Sequence, residues 1–199
     1  MSDTVRIALV SGSLRAGSGS TALLQTVAEV VGPDVVAARM YFGMGALPHF
    51  NPDDDFDPLH PAVAELRGLI AGADALLFST PEYAGDMPGS FKNLLDWTVG
   101  GNEIVDKPTA WLNAAPPGRA QGAHAALRTV LGYTGARIVE EACVHLPVPR
   151  DAIDAEAGTV ADSGVREGLR EAVAALVAAV RAERPAPVRP VAESLGSPW

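Results

Sequence analysis

An α/β domain with one parallel sheet and helices packed on both of its faces is the fold class the sequence predicts. Short β-rich apolar runs alternate with longer helical segments along most of the chain, the order that builds a doubly wound sheet. The first run, residues 5–10, is apolar at both alternating sets of positions except Arg6, as a strand covered on both sides requires. The turn after it is crowded with glycine and hydroxyl residues, and in such folds the exits of the strands carry the ligand site.

The elements follow in order. After the strand at 5–10 and the turn at 11–21, residues 22–31 space their apolar positions as a helix does, and Gly32-Pro33 stops it. Residues 34–40 form a second strand. The stretch 41–60 contains Pro48, Pro52, Pro58 and the run Asp53-Asp54-Asp55, which sustains neither a helix nor a central strand. Pro61 suits the first position of a helix running to about 71, with Gly72 beyond it. Residues 75–80 are a third strand, 81–87 a loop and 88–98 a helix. A fourth strand covers 109–115, a loop 116–122 and a helix 123–131. A fifth strand is expected at 137–145, with Cys143 inside it and Glu140 and Glu141 at a solvated part. Residues 165–183 form an Ala-rich amphipathic helix. Residues 184–199 contain four prolines and read as an extended tail. The domain is therefore 1–183, with 184–199 as an appendage.

Composition narrows the function classes. The 199 residues suit one domain with a real core, and a net charge of −9 with no Lys or Arg cluster offers no face for nucleic acid. No apolar run approaches the roughly 18 residues of a membrane span. The start lacks the basic and apolar regions of a secretory signal, and the single Cys143 excludes internal disulfides and a Cys-based zinc site. A reducing cytoplasm is the expected location.

The loop after the first strand holds five hydroxyl residues, three glycines and Arg15 between positions 11 and 21. Glycines let backbone N–H groups approach an anion, the helix start adds unpaired N–H groups, and Arg15 supplies a charge. This chemistry suits a terminal monophosphate. The loop has no Gly-Lys-Ser/Thr, and Gly12, Gly17 and Gly19 do not space as G-x-G-x-x-G, so triphosphate and dinucleotide motifs fit less well. A plain helix cap by Ser18 or Ser20 accounts for one hydroxyl only. The loop after the third strand lies at the same edge of the sheet; Pro81 stiffens it, and Ala84 and Gly85 leave room for backbone to meet the edge of a planar ring.

Two segments, Gly12-Ser-Leu-Arg-Ala-Gly-Ser18 and Thr80-Pro-Glu-Tyr-Ala-Gly-Asp-Met-Pro-Gly-Ser-Phe-Lys-Asn-Leu-Leu-Asp-Trp97, closely resemble the signatures of the NAD(P)H-dependent FMN reductase family, which includes quinone, chromate and azo-dye reductases. Leu47-Pro48 followed by Asn51-Pro52-Asp53 resembles that family's connection after strand two. The resemblance covers roughly residues 5–182. It implies a flavodoxin-like strand order, 2-1-3-4-5, with FMN phosphate held by Ser13, Arg15, Ser18, Ser20 and Thr21. Pro81, Glu82, Tyr83, Ala84 and Gly85 would line the isoalloxazine, with the turn containing Pro116 beside its pyrimidine edge; Arg119 is a candidate to stabilise the reduced flavin near N1 or to contact the nicotinamide's phosphate. NADPH or NADH would deliver a hydride to the flavin N5, and a second acceptor (a flavin, quinone, nitro or azo compound, or metal oxyanion) would then be reduced in a ping-pong pattern. No side chain is assigned as a catalytic acid or base. The family's proteins are usually homodimers or homotetramers, and the helix with Lys92, Asn93 and Trp97 contributes to assembly.

This chain departs from the family at two places. Ala84 stands where asparagine is usual, and Ala114-Ala115-Pro116-Pro117-Gly118-Arg119 replaces a Ser- and Gly-rich turn, with two prolines that donate no N–H. Two other function classes compete: a flavodoxin-like electron carrier, suggested by the acidic charge but opposed by Arg15 in the phosphate loop, and a non-catalytic flavin-binding regulatory protein. Elsewhere, Asp53-Asp54-Asp55 with His49 and His60 reads as solvated surface rather than a metal site. His124 and His145 read as structural or surface residues, Cys143 as a buried small hydrophobe, and Trp97 and Trp111 as core or interface.

Overall fold

The structure, a computed structural model, describes residues 4–183; the proline-rich tail expected at 184–199 lies outside the described residues. The elements are β1 (Val5–Ser11), α1 (Gly19–Val30), β2 (Val36–Tyr41), α2 (Pro61–Gly72), β3 (Ala75–Ser79), α3 (Gly89–Asp96), β4 (Pro108–Asn113), α4 (Gln121–Tyr133), β5 (Arg137–Ile138), β6 (Val144–His145) and α5 (Ser163–Glu183). All the strands of the sheet pair in parallel, in the order β2-β1-β3-β4-β5, with β6 also on β4. This is the flavodoxin-like order, and its reversal falls between β1 and β3.

Alternation along each strand divides the core in two. Val5, Ile7 and Leu9 of β1, Ala75 and Leu77 of β3, and Ala110 and Leu112 of β4 pack with residues of α1 and α5. Ala8, Val10, Leu76, Phe78 and Trp111 face the other way, against α2, α3 and α4. Both faces are therefore apolar, which is why β1 and β3 read as continuous apolar runs. Each such Leu, Ile or Phe contributes about 1.5–3 kcal/mol by leaving water. Arg6, the exception noted in β1, is exposed and pairs with Asp74 at 2.8 Å. Among the described residues no helix is long and apolar enough to cross a membrane.

Three local expectations change. First, α1 begins at Gly19, because Ser18 takes the extended backbone of an N-cap (φ −75°, ψ 134°), so Ser20 and Thr21 belong to the helix rather than the turn. Second, the expected fifth strand is split. Ile138 pairs with Thr109 and Val144 with Leu112, so the chain carries more residues than the ladder on β4 uses. The surplus coils into a 3₁₀ turn at Glu140–Ala142, which leaves Cys143 just outside a strand. Its thiol donates to the Val139 carbonyl at 3.4 Å, and burial pushes its pKa up to about 11. That is an inert, partly buried thiol.

Third, Asp55 is not part of a solvated acidic run. Asp53 and Asp54 are exposed, but the Asp55 side chain is buried against Arg67, with contacts of 2.7 and 2.9 Å. The Arg67 Nε also donates to the Trp97 carbonyl at 3.0 Å. His60 accepts from the Ala62 N–H through Nδ1 at 3.3 Å and so caps α2. The helix linked by resemblance to assembly uses its polar residues within the chain. The Asn93 side chain accepts from Phe50 N–H and donates to the Pro48 carbonyl, and Trp97 Nε1 donates to that same carbonyl at 2.8 Å. Trp97 is fully buried; these bonds pin the irregular stretch 41–60 onto α3.

Candidate functional site

The carboxyl ends of β1, β3 and β4 open into one cleft of about 500 Å³, within the size range of cofactor pockets. Its first wall is the β1–α1 loop. Gly12 N–H donates to the Ser79 carbonyl at 2.8 Å. A Cβ at Gly12 would lie 2.3 Å from Thr80 Oγ1 and 3.0 Å from the Phe91 ring, so only glycine lets the two loops touch. Ser11 and Thr21 hydroxyls bond at 2.8 Å and close the base of the loop. The Ser13 hydroxyl accepts from Arg15 N–H at 3.2 Å. The Arg15 guanidinium folds over the loop, donating to the Gly17 carbonyl at 3.2 Å. Ser18, although it occupies the N-cap, makes no side-chain capping bond. The Ser18 and Ser20 side chains line the cleft beside the start of α1, where the first N–H groups lack helical partners. Hydroxyls, N–H groups and a guanidinium thus gather with no carboxylate in this loop, and that donor set fits a phosphate.

The second wall is the β3–α3 loop. Tyr83 and Asp86 exchange backbone hydrogen bonds of 2.9 and 3.1 Å across Ala84 and Gly85, whose φ values are 52° and 82°. Two consecutive positive φ angles make a type I′ turn, in which asparagine is favoured first and glycine second. This supplies a physical reason for the asparagine usual in the resembling family: it tolerates the left-handed conformation better than alanine. Replacing Ala84 with asparagine or glycine is accordingly expected to raise stability by about 1 kcal/mol. Urea unfolding measures this, and a loss of stability would show that the turn is not strained at Ala84.

The β4–α4 loop forms the third wall. Asn113 Oδ1 accepts from Ala115 N–H at 2.9 Å, and Arg119 N–H donates to the Pro116 carbonyl at 3.1 Å. With two N–H groups used internally and two prolines that have none, this loop offers a ligand mainly carbonyls and side chains. His145 Nε2 bonds to the Ala115 carbonyl at 2.7 Å and steadies the loop from β6. Nearby, His124 Nδ1 donates to the Ala120 carbonyl at 2.6 Å. Burial holds its pKa below the ordinary imidazole value, so it is neutral at pH 7.

Sequence reasoning missed a fourth wall. Val148 N–H donates to the Ala114 carbonyl at 3.0 Å, extending the β6 pairing and bringing Val148, Pro149, Arg150 and Ile153 to the cleft. The available signal was topological: Pro147-Val-Pro-Arg150 leaves the last strand at the same edge as the other loops.

Nine of the expected residues meet in this cleft: Ser13, Arg15, Ser18, Ser20, Pro81, Glu82, Tyr83, Pro116 and Arg119. Thr21, Ala84 and Gly85 stand just outside its wall. The Thr21 hydroxyl is spent on Ser11, and Ala84 and Gly85 form the tip of the turn. Arg15, Arg119 and Arg150 surround the cleft with no salt bridge to a described residue. With Glu82 the one carboxylate among the residues lining the cleft, this is an excess of positive charge in a chain of net charge −9, suited to an anionic ligand.

The profile of the family described as NADPH-dependent FMN reductase matches residues 5–149. The chain is 35% identical to an NAD(P)H-dependent FMN reductase of Pseudomonas aeruginosa over 91% of its own length and 98% of that protein. It is 28% identical to an NADPH:quinone oxidoreductase of Arabidopsis thaliana, covering 87% and 91% of the two chains. Among solved structures, the flavoenzyme NAD(P)H:(acceptor) oxidoreductase FerB from Paracoccus denitrificans superimposes with a TM-score of 0.72 at 28% identity, over 89% of this chain and 98% of that one. The flavodoxin-like fold, the glycine- and hydroxyl-rich loop after β1 and these likenesses converge: the chain belongs to the NADPH-dependent FMN reductase family, oxidoreductases that work with FMN and a nicotinamide.

Proposed function

We propose that this chain passes reducing equivalents from NAD(P)H through FMN to a small organic acceptor of the quinone class, both substrates using the same open cleft in turn. The observation that carries the reading is the junction of the phosphate-type loop at the α1 start with three further loops around one 500 Å³ cleft. Ser13, Arg15, Ser18, Ser20 and the first N–H groups of α1 hold the phosphate. Backbone of residues 81–83 and the β4–α4 loop flank the ring. Bound there, FMN would supply the two-electron redox chemistry that links the reduced nicotinamide to the second substrate. Arg119 and Arg150, on exposed loops of the cleft wall, attract the phosphates of the nicotinamide and offset negative charge near the ring. Tyr83, half exposed at the rim, gives an incoming planar substrate an apolar face. No side chain is needed as a proton donor in the hydride step. The quinone class is favoured because relatives from Arabidopsis thaliana and Escherichia coli are named quinone oxidoreductase or reductase.

The reading extends to a homodimer or homotetramer in the cytoplasm. Leu14 and Phe42, apolar and exposed on loops at the carboxyl edge of the sheet, support contact between copies near the site.

Anaerobic rapid mixing of the FMN-loaded protein with NADPH, and separately with NADH, tests the proposal. The flavin absorbance is expected to bleach in one fast two-electron phase and to return when a benzoquinone is added. A flavin that binds tightly yet stays oxidised with both nicotinamides would replace this reading with that of a carrier or a regulatory protein.

A further inference from the structure

Glu82 sits among the residues expected to line the flavin ring, but its carboxylate is engaged elsewhere. α4 starts behind Ala120, a residue whose side chain provides no cap, so the first N–H groups of this helix need an acceptor from outside. Glu82 Oε2 supplies one, accepting from Ala123 N–H at 3.0 Å, and a carboxylate there also complements the helix dipole. The contact is tight around it. A Cβ on Gly122 would stand 2.0 Å from the Gly85 carbonyl oxygen and 3.0 Å from Glu82 Oε2. Glycine at 122 therefore lets the start of α4 touch the tip of the Tyr83–Asp86 turn. Through this one carboxylate the second and third walls of the cleft are joined.

We propose that Glu82 is a positioning residue, whose carboxylate clamps the β3–α3 loop to the start of α4 so that backbone of both loops is already set to receive the flavin ring. The inference rests on the reading of the cleft as an FMN site. A loop fixed in advance does not have to be ordered when the ligand arrives, and affinity gains by that difference. The clamp acts at the ring end of the cleft, whereas the phosphate end is built by other residues and does not depend on it.

The test compares wild type with Glu82→Ala and Glu82→Gln by fluorescence titration of the apoproteins with FMN, by competition with inorganic phosphate, and by the band shape of the bound flavin. Glu82→Ala is expected to weaken FMN about tenfold, to broaden the flavin band, and to leave phosphate competition unchanged. Glu82→Gln keeps an oxygen acceptor for Ala123 N–H and is expected to restore most of the affinity. Glu82→Asp keeps the charge but is too short to hold that bond; it is expected to fall with alanine and serves if the alanine variant does not fold. FMN bound equally by wild type and Glu82→Ala, or glutamine as damaging as alanine, would overturn the clamp. A wild-type protein that binds no FMN would overturn the cofactor reading itself, and the inference with it.

Discussion

Replacing Asp55 with alanine is expected to cost about 3 kcal/mol of folding stability, seen as a fall in Tm of about 6–12 °C. Asp55 and Arg67 are both nearly buried, 2.7 Å apart, and Arg67 also holds the carbonyl of Trp97. The pair ties three things together: the irregular stretch before α2, α2 itself and the end of α3. Removing the carboxylate leaves a guanidinium that cannot lose its proton and has one carbonyl for company. The large cost belongs to that stranded charge rather than to the lost attraction. The double replacement Asp55→Leu with Arg67→Met separates the two, because it removes both charges and is expected to recover most of the loss. If alanine alone costs less than about 1 kcal/mol, water reaches Arg67 and the pair is not desolvated.

Arg15→Ala is expected to weaken FMN by about 10- to 150-fold, the equivalent of one hydrogen bond to a charged group. Riboflavin, which has no phosphate, is expected to bind the variant and wild type alike, which makes the pair of titrations a local test. Arg15 is exposed, so added salt is expected to shrink the difference between the two proteins. Arg15→Lys keeps the charge but loses the planar fork, and an intermediate loss follows. Unchanged FMN affinity in Arg15→Ala would mean that the hydroxyls and N–H groups of residues 13–20 hold the phosphate without it.

The sheet and the glycine- and hydroxyl-rich loop after β1 are legible because their signals are local. β1 and β3 are buried on both faces, and continuous apolar runs of that kind are visible in one dimension. Residues 12–20 stand out because the phosphate chemistry expected of them calls for glycine, hydroxyl and cation close together in sequence. What escaped depends on partners distant along the chain. Asp55 looked solvated beside two other acids, since Arg67 meets it only once α2 packs. Residues 137–145 read as one strand because the surplus over β4 emerges only when the register is set. Glu82 lines the cleft as the resemblance implies, but the bond its carboxylate accepts from Ala123 N–H, 41 positions on, has no signal in the sequence. Arg150 carries no motif, and only topology brings it to the cleft.

The split at the end of the sheet has a bearing on solubility. A long straight border strand leaves a row of free N–H and C=O groups on which a strand of another molecule could grow a mixed sheet. Here that border consists of the two-residue segments Arg137–Ile138 and Val144–His145, parted by a turn that carries the exposed acids Glu140 and Glu141. An intruding strand would find neither a continuous ladder nor an uncharged approach, so the local kink guards this border of the sheet against strand addition.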